Sequence, residues 1–355
     1  MNKRLKYHKW LLPAGFLFGM VVNIRNYLYN HGIFKSVRFN LPVLSIGNLT
    51  VGGTGKTPHT EYLVRLLRNN YKIAVLSRGY GRRSSGYQLA TPNSTQESIG
   101  DEPFQIHMKY PDVTVAVDES RVEGISKLLT YPNPDAILLD DAYQHRAVTP
   151  SLNILIVNYH RNIFQDKLLP AGLLREPHNE IRRADIIIIS KCPNDISKDE
   201  MSAIKSGFNL TNRQSIYFTR ICYNELVRFN DTSHTSPISS IGDNTSVLIV
   251  TGIASPLLIE TELKRYTSHI TLISFSDHHQ FTDSDIDRID KEFGKLQGES
   301  KIIVTTEKDA TRLRSMNIES ALQSKIFILP IAIEFIKDGK EFDSAIIGHI
   351  DSFRK

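Results

Sequence analysis

A short apolar run, Leu44-Ser45-Ile46, leads into Gly47-Asn48-Leu49-Thr50-Val51-Gly52-Gly53-Thr54-Gly55-Lys56-Thr57-Pro58, and a helix-like stretch continues to Arg68. Few local patterns restrict a fold so tightly. Glycines let successive backbone N–H groups turn inward toward phosphate oxygens. The N-terminus of the following helix adds the positive end of its dipole. In this pattern Lys56 reaches the β- and γ-phosphates of a nucleotide, and the Thr57 hydroxyl reaches Mg²⁺. Pro58 falls in the first helical turn, where a missing N–H costs little. The usual motif opens on glycine. This chain has Thr50 there and places Gly52 and Gly53 inside the loop.

Such a loop belongs at the edge of a parallel sheet, and the surrounding sequence supplies one. Buried-strand candidates are Pro42–Ile46, Lys72–Ser77, Val113–Val117, Ala136–Leu139, Asn153–Val157 and Asp185–Ser190. Helix-like stretches such as Thr57–Arg68 and Ser120–Leu129 separate most of them. Val-, Ile- and Leu-rich strands alternating with helices predict a doubly wound α/β fold. After a less regular region holding the candidate strand Ser215–Tyr223, a second set follows at Val247–Thr251, Ile270–Phe275, Lys301–Thr305 and Lys325–Pro330. The expected fold is therefore a P-loop NTPase-type, mostly parallel sheet flanked by helices, with a second smaller α/β domain and an N-terminal membrane-surface helix. The expected boundaries are 1–35 for a basic, apolar membrane-associating helix, 36–213 for the P-loop domain and 214–245 for a linker with strands. The smaller domain takes 246–340, and a C-terminal tail or helix takes 341–355.

The strand Ala136-Ile137-Leu138-Leu139 ends in Asp140 and Asp141. In P-loop proteins an acid at that point holds Mg²⁺ directly or through water. Tyr143-Gln144-His145-Arg146 then puts polar groups at the carboxyl edge of the sheet, where open α/β sheets bind ligands. Asp101, in Gly100-Asp101-Glu102-Pro103, precedes a helix-like stretch and is either an N-cap or a base. Asp277-His278-His279-Gln280-Phe281 is either a metal site or a surface turn. Arg175 and Glu176, in Leu169–Pro177, are either a clamp for phosphate and metal or a surface ion pair.

Charge is placed unevenly. Of 43 Lys and Arg, eight lie in residues 1–60, which contain no carboxylate, although the whole chain nets only +5. Basicity confined to one end does not make a nucleic-acid surface, and no RRM, KH or zinc-finger pattern is present. Between the cations, Trp10–Ile24 is apolar except for Asn23. That is shorter than the ~20 residues of a bilayer crossing. As a helix it aligns Gly15, Gly19, Asn23, Asn26 and Asn30 in a small-or-polar stripe, with Tyr27 and Tyr29 at headgroup level. A helix lying in the interface is expected. A membrane span and a buried core helix are the alternatives, and a signal peptide lacks its cleavage site. Cys192 and Cys222 are too few for a disulfide scaffold and lack metal-ligand spacing.

Taken together, these segments resemble the tetraacyldisaccharide 4′-kinases of lipid A synthesis. The matching pieces are the Gly47–Pro58 loop, Ser77-Arg78-Gly79-Tyr80-Gly81, Gly100–Pro103, Asp140–Arg146, Leu169–Pro177, Asp277–Phe281 and Thr305-Thr306-Glu307-Lys308-Asp309-Ala310. The resemblance implies phosphate transfer from ATP to the 4′-hydroxyl of a tetraacylated glucosamine disaccharide 1-phosphate. It places the chain at the cytoplasmic face of the inner membrane, and a monomer is expected. It implies ATP binding by Thr50, Val51, Gly52, Gly53, Thr54, Gly55, Lys56 and Thr57. Asp101 would be the base, oriented by His278. Metal and phosphate would fall to Thr57, Asp140, Asp141 and Glu176, and the acceptor side to Gln144, His145 and Arg175. The family pattern has glycine where this chain has Ala142, so the backbone there must be ordinary or strained.

Three other readings stand beside it. A membrane-targeting P-loop GTPase or ATPase would carry a guanine-reading Asn-Lys-x-Asp, of which Ser190-Lys191-Cys192-Pro193-Asn194-Asp195 is a loose echo. A soluble small-molecule kinase would bury the N-terminal helix. A non-enzymatic scaffold leaves the phosphate loop unexplained.

Overall fold

The computed structural model describes residues 8–253, 256–277 and 279–354. His278 and the basic residues Lys3, Arg4 and Lys6 lie outside them. The chain forms two compact units. One runs to Ile221 and resumes at Ile333; the other is Cys222–Ala332.

In the first unit the strands are β1 (Val43–Gly47), β2 (Ile73–Ser77), β3 (Gln88–Leu89), β4 (Thr114–Val117), β5 (Ala136–Asp140), β6 (Leu152–Asn158), β7 (Ile186–Ser190) and β8 (Ser215–Tyr223). The helices are α1 (Leu12–Asn30), α2 (Lys56–Leu67), α3 (Gln96–Ile99), α4 (Asp101–Lys109), α5 (Arg121–Thr130) and α6 (Lys198–Gly207). Strands β8-β7-β6-β1-β5-β2-β4 lie side by side and parallel. β1, β2, β5 and β7 are buried along their whole length, as strands covered by helices on both faces must be. Strand β1 lies between β5 and β6, so its carboxyl end opens into the crevice where such sheets bind ligands.

The second unit has its own sheet. Its strands are β9 (Leu226–Arg228), β10 (Thr235–Ser236), β11 (Thr245–Thr251), β12 (Ile270–Ser274), β13 (Ser300–Thr305) and β14 (Ile326–Ile328), ordered β10-β9-β14-β13-β11-β12. The four strands from β11 to β14 are parallel and β9 runs against them. Helices α7 (Leu257–Leu263), α8 (Asp283–Lys295), α9 (Glu307–Leu313) and α10 (Ser320–Gln323) accompany them. A separate core of Leu248, Val250, Ile286, Ile289, Ile303 and Leu313 fills this unit.

The unit boundaries differ from those read in the sequence. The stretch 214–245 holds β8, β9 and β10 and joins both sheets. Strand β15 (Ile331–Phe335) pairs beside β8, and helix α11 (Gly339–Asp351) sinks Phe342, Ile346 and Ile350 into the core around Leu63, Leu67 and Ile73. The chain thus returns to the first unit before residue 340. The Tyr62 and Tyr71 hydroxyls donate to Asp343 and Asp351, each at 2.8 Å.

Helix α1 packs on this unit through Gly15, Gly19, Val22 and Asn26. Val22 takes the place expected for Asn23, which is exposed. The two glycines let the helix lie against the 168–171 segment: a Cβ on Gly19 would come 2.8 Å from Leu168 and one on Gly15 3.2 Å from Ala171. Arg146 donates to the Asn26 carbonyl and the Asn30 side chain at 3.0 and 2.6 Å. Trp10, Phe16, Leu17, Val21, Ile24 and Tyr27 face outward and exposed.

Candidate active site

The phosphate loop joins β1 to α2. Gly52 and Gly55 have φ of +95° and +91°, open to glycine at no steric cost. Thr50 does not need that freedom. Its backbone is extended and bridges Leu174, and the Val51 N–H donates to the Leu173 carbonyl at 2.8 Å. This explains how threonine replaces the usual opening glycine. Inside the loop, the Asn48 amide donates to the Thr54 hydroxyl at 2.7 Å.

Helix α2 brings Thr60 beneath the end of β5, where its hydroxyl donates to Asp140 at 2.8 Å. Asp140 is buried. That burial and the neighbouring Asp141 push its carboxyl up to about 6. Asp141 carries the left-handed backbone of this turn, φ +48°, a conformation aspartate tolerates better than most residues. Ala142 keeps an ordinary φ, so the departure from glycine there needs no strain. Lys56 lies 3.4 Å from Asp141, and Arg175 donates to both Asp141 oxygens at 3.0 and 3.1 Å. Burial opposes ionisation of Asp141, but these two cations outweigh it and hold its carboxyl below the usual range.

Around this pair the site is cationic. His145 is pushed down to about 4 by burial and then by Arg121 and Arg78, so its ring is neutral at pH 7. Arg121 is itself buried, and it donates to the Asp118 carbonyl at 2.6 Å. Gln144 donates to the Asn48 carbonyl at 2.8 Å, joining the acceptor-side residues to the loop.

Glu176, expected among metal donors, is held by two arginines. It is fully buried, with one oxygen paired to Arg25 of α1 and the other to Arg183. Two guanidinium groups compensate this acid, and Gln144 approaches it at 3.4 Å. Asp101 opens α4. Close backbone contact fixes that end: a Cβ on Gly100 would lie 3.1 Å from Gly79, at the turn after β2. The same helix is tied to α2 by Glu61, which accepts from Lys109 at 2.6 Å and Gln105 at 2.8 Å. Glu102 adds to the negative field at Asp140.

The loose echo of a guanine-reading motif touches the phosphate loop. Ser190 and Lys191 close β7 and reach back to the phosphate loop, at the Thr54 and Gly53 carbonyls.

Oxygen donors Thr57, Asp140 and Asp141 are the chemistry Mg²⁺ takes, with few protein ligands and the rest from phosphate and water. Asp140 has the under-compensated charge that a divalent cation would satisfy. The described residues contain no cluster of three His, Cys, Asp or Glu for a metal, so nucleotide phosphates must complete any such site.

A glycine-rich loop between a central parallel strand and a helix, with a lysine and strand-end aspartates beside it, defines a P-loop phosphotransferase. The family model described as tetraacyldisaccharide-1-P 4′-kinase matches residues 7–351. A Bacteroides thetaiotaomicron protein named tetraacyldisaccharide 4′-kinase is 50% identical, covering 98% of this chain and 94% of its own. One from Parabacteroides distasonis with the same name is 46% identical over 98% of this chain and 96% of its own. The crystal structure of the "apo" form of LpxK from Aquifex aeolicus in complex with ATP superposes with a TM-score of 0.74 at 28% identity, covering 96% of this chain and 98% of that one. The chain belongs to the tetraacyldisaccharide-1-P 4′-kinase family.

Proposed function

We propose that the chain transfers the γ-phosphate of ATP to the 4′-hydroxyl of a tetraacylated glucosamine disaccharide 1-phosphate. The observation that carries this reading is the meeting of the phosphate loop, Lys56, Asp140 and Asp141 at one sheet edge, in a chain of this family. Loop amides and Lys56 offset charge on the phosphoryl group as it moves. Thr57, Asp140 and Asp141 would hold Mg²⁺, which neutralises phosphate charge when bound. Glu176 fixes Arg183 and Gln144 beside them. Asp101 would accept the proton of the attacking hydroxyl. Gln144, neutral His145 and Arg175 face the acceptor and its charges.

The outward apolar face of α1 lies at the boundary between headgroups and acyl chains, where the sugar of the acceptor meets its own acyl chains. ATP chemistry puts that surface on the cytoplasmic face of the inner membrane. Replacing Phe16, Leu17 and Val21 with serine should leave the protein unbound in vesicle flotation. Co-flotation of that variant at the wild-type level refutes the membrane role.

Incubation with γ-labelled ATP and the purified disaccharide lipid tests the reaction. Label at the 4′-oxygen is the expected product. Label at another hydroxyl, or only as free phosphate, refutes the reading.

A further inference from the structure

We propose that Lys191, Ser190 and His59 clamp the phosphate loop from outside, and that Lys191 is a positioning residue for ATP. The proposal rests on ATP occupying that loop. Three successive carbonyls of the loop are each held by a side chain. The Lys191 ammonium donates to the Gly53 carbonyl at 2.8 Å, the Ser190 hydroxyl to the Thr54 carbonyl at 2.7 Å, and His59 Nδ1 to the Gly55 carbonyl at 2.6 Å.

A trans peptide unit is flat, and its C=O and N–H point in opposite directions. Fixing the carbonyls of Gly53, Thr54 and Gly55 outward therefore turns the amides of Thr54, Gly55 and Lys56 the other way. Those amides then face the concave side of the loop, where phosphate oxygens sit. Preorganised donors need no reorientation when charge arrives.

The clamp is built on rigid elements. Ser190 is the last residue of β7, and Lys191 follows with a left-handed φ of +59°. This turn directs the lysine back over the loop. His59 lies in α2, buried, and its Nε2 meets the Thr219 hydroxyl of β8 at 3.0 Å. Burial pushes this histidine down to about 4, so the ring is neutral. With Nδ1 facing a carbonyl, Nδ1 carries the proton and Nε2 accepts from Thr219. The segment that in other P-loop proteins reads a base here grips backbone.

Steady-state kinetics of the full chain with ATP and the disaccharide lipid separates a clamp from general structure. Lys191→Met should raise the KM for ATP about 10-fold or more, the scale of one hydrogen bond from a charged donor. The KM for lipid should stay within about twofold, because the contacts of Lys191 are to the phosphate loop and not to Gln144, His145 or Arg175. Lys191→Arg, which keeps a cationic donor, should recover most of the loss. Ser190→Ala should give a smaller rise, about threefold to tenfold. An unchanged ATP KM in both Lys191→Met and Ser190→Ala overturns the clamp. So does an equal rise in both KM values that Lys191→Arg does not rescue. If the wild-type protein shows no thermal shift with ATP, the ATP reading falls and the clamp with it. If the wild type shifts and Lys191→Met shifts equally, the clamp alone falls.

Discussion

Each unit buries an acid at the carboxyl edge of its sheet, and the two acids are held in opposite ways. Asp140, ending β5, accepts one hydroxyl, from Thr60, beside a second acid at Asp141. Its carboxyl is driven up to about 6, first by burial. Asp309, in the first turn of α9, takes three donors on one oxygen: the Thr251 hydroxyl at 2.9 Å, the Gly252 N–H at 3.0 Å and the Thr306 hydroxyl at 2.7 Å. Its other oxygen faces Arg312 at 3.5 Å, a side chain almost wholly buried. The charge of Asp309 serves the fold by pinning the ends of β11 and β13. Asp140 has charge left to offer a cation. A strand-end aspartate is therefore read as ligand-ready or structural by counting its donors, not by its position.

The sharpest way to break that contrast lies at the first edge. Asp101→Ala should lower kcat by roughly 10²- to 10⁴-fold, the range for a general base. Near-wild-type turnover removes Asp101 from that role. At the second edge the balance should reverse. Asp309→Asn removes the buried charge that three donors and Arg312 address and should cost about 3 kcal/mol of stability by denaturant titration. Asp140→Asn should cost none at pH 7, because it removes a poorly compensated buried charge, while still abolishing turnover. If Asp140→Asn destabilises as much as Asp309→Asn, the distinction is wrong.

A smaller effect sharpens the account of the first unit. His59 has its folded pKa depressed from 6.5 to about 4. For such a base, stability is fully present above about pH 6.5 and is lost as pH falls toward 4. The loss is about 2 kcal/mol by pH 5. His59→Asn should remove close to one proton from the pH slope of unfolding over that range. An unaltered slope would show that His59 titrates normally.

Much of this was legible in the residues. The Gly-Lys-Thr loop, the strand ending in Asp140 and the order of strands and helices follow from local pattern. Observed strands start and stop within a residue or two of the expected ones at β1, β2, β4, β5, β6 and β7. Short pieces such as β3 and β10, of two residues each, carry no period to detect. The grip of Lys191 on Gly53 joins residues 138 positions apart, so no local pattern encodes it. Glu176 stands next to Arg175 in sequence, but its partners Arg25 and Arg183 come from α1 and a 3-10 helix that only folding brings to it. In α1 the buried stripe passes through Val22 because the helix meets its support along its own 3.6-residue period. Periodicity likewise shows that α11 is amphipathic, but not which core receives it.

That last helix has a consequence for biosynthesis. Phe342 of α11 packs edge-to-face with Tyr62 and Tyr217, with ring centres 6.0 and 5.3 Å apart, and Tyr62 rides on the same helix that carries Lys56. A nascent chain therefore keeps the back of its nucleotide-binding helix wet until Gly339–Asp351 has left the ribosome. Messages cut short anywhere after the second unit should yield protein whose small sheet is complete and whose kinase half stays open to proteases.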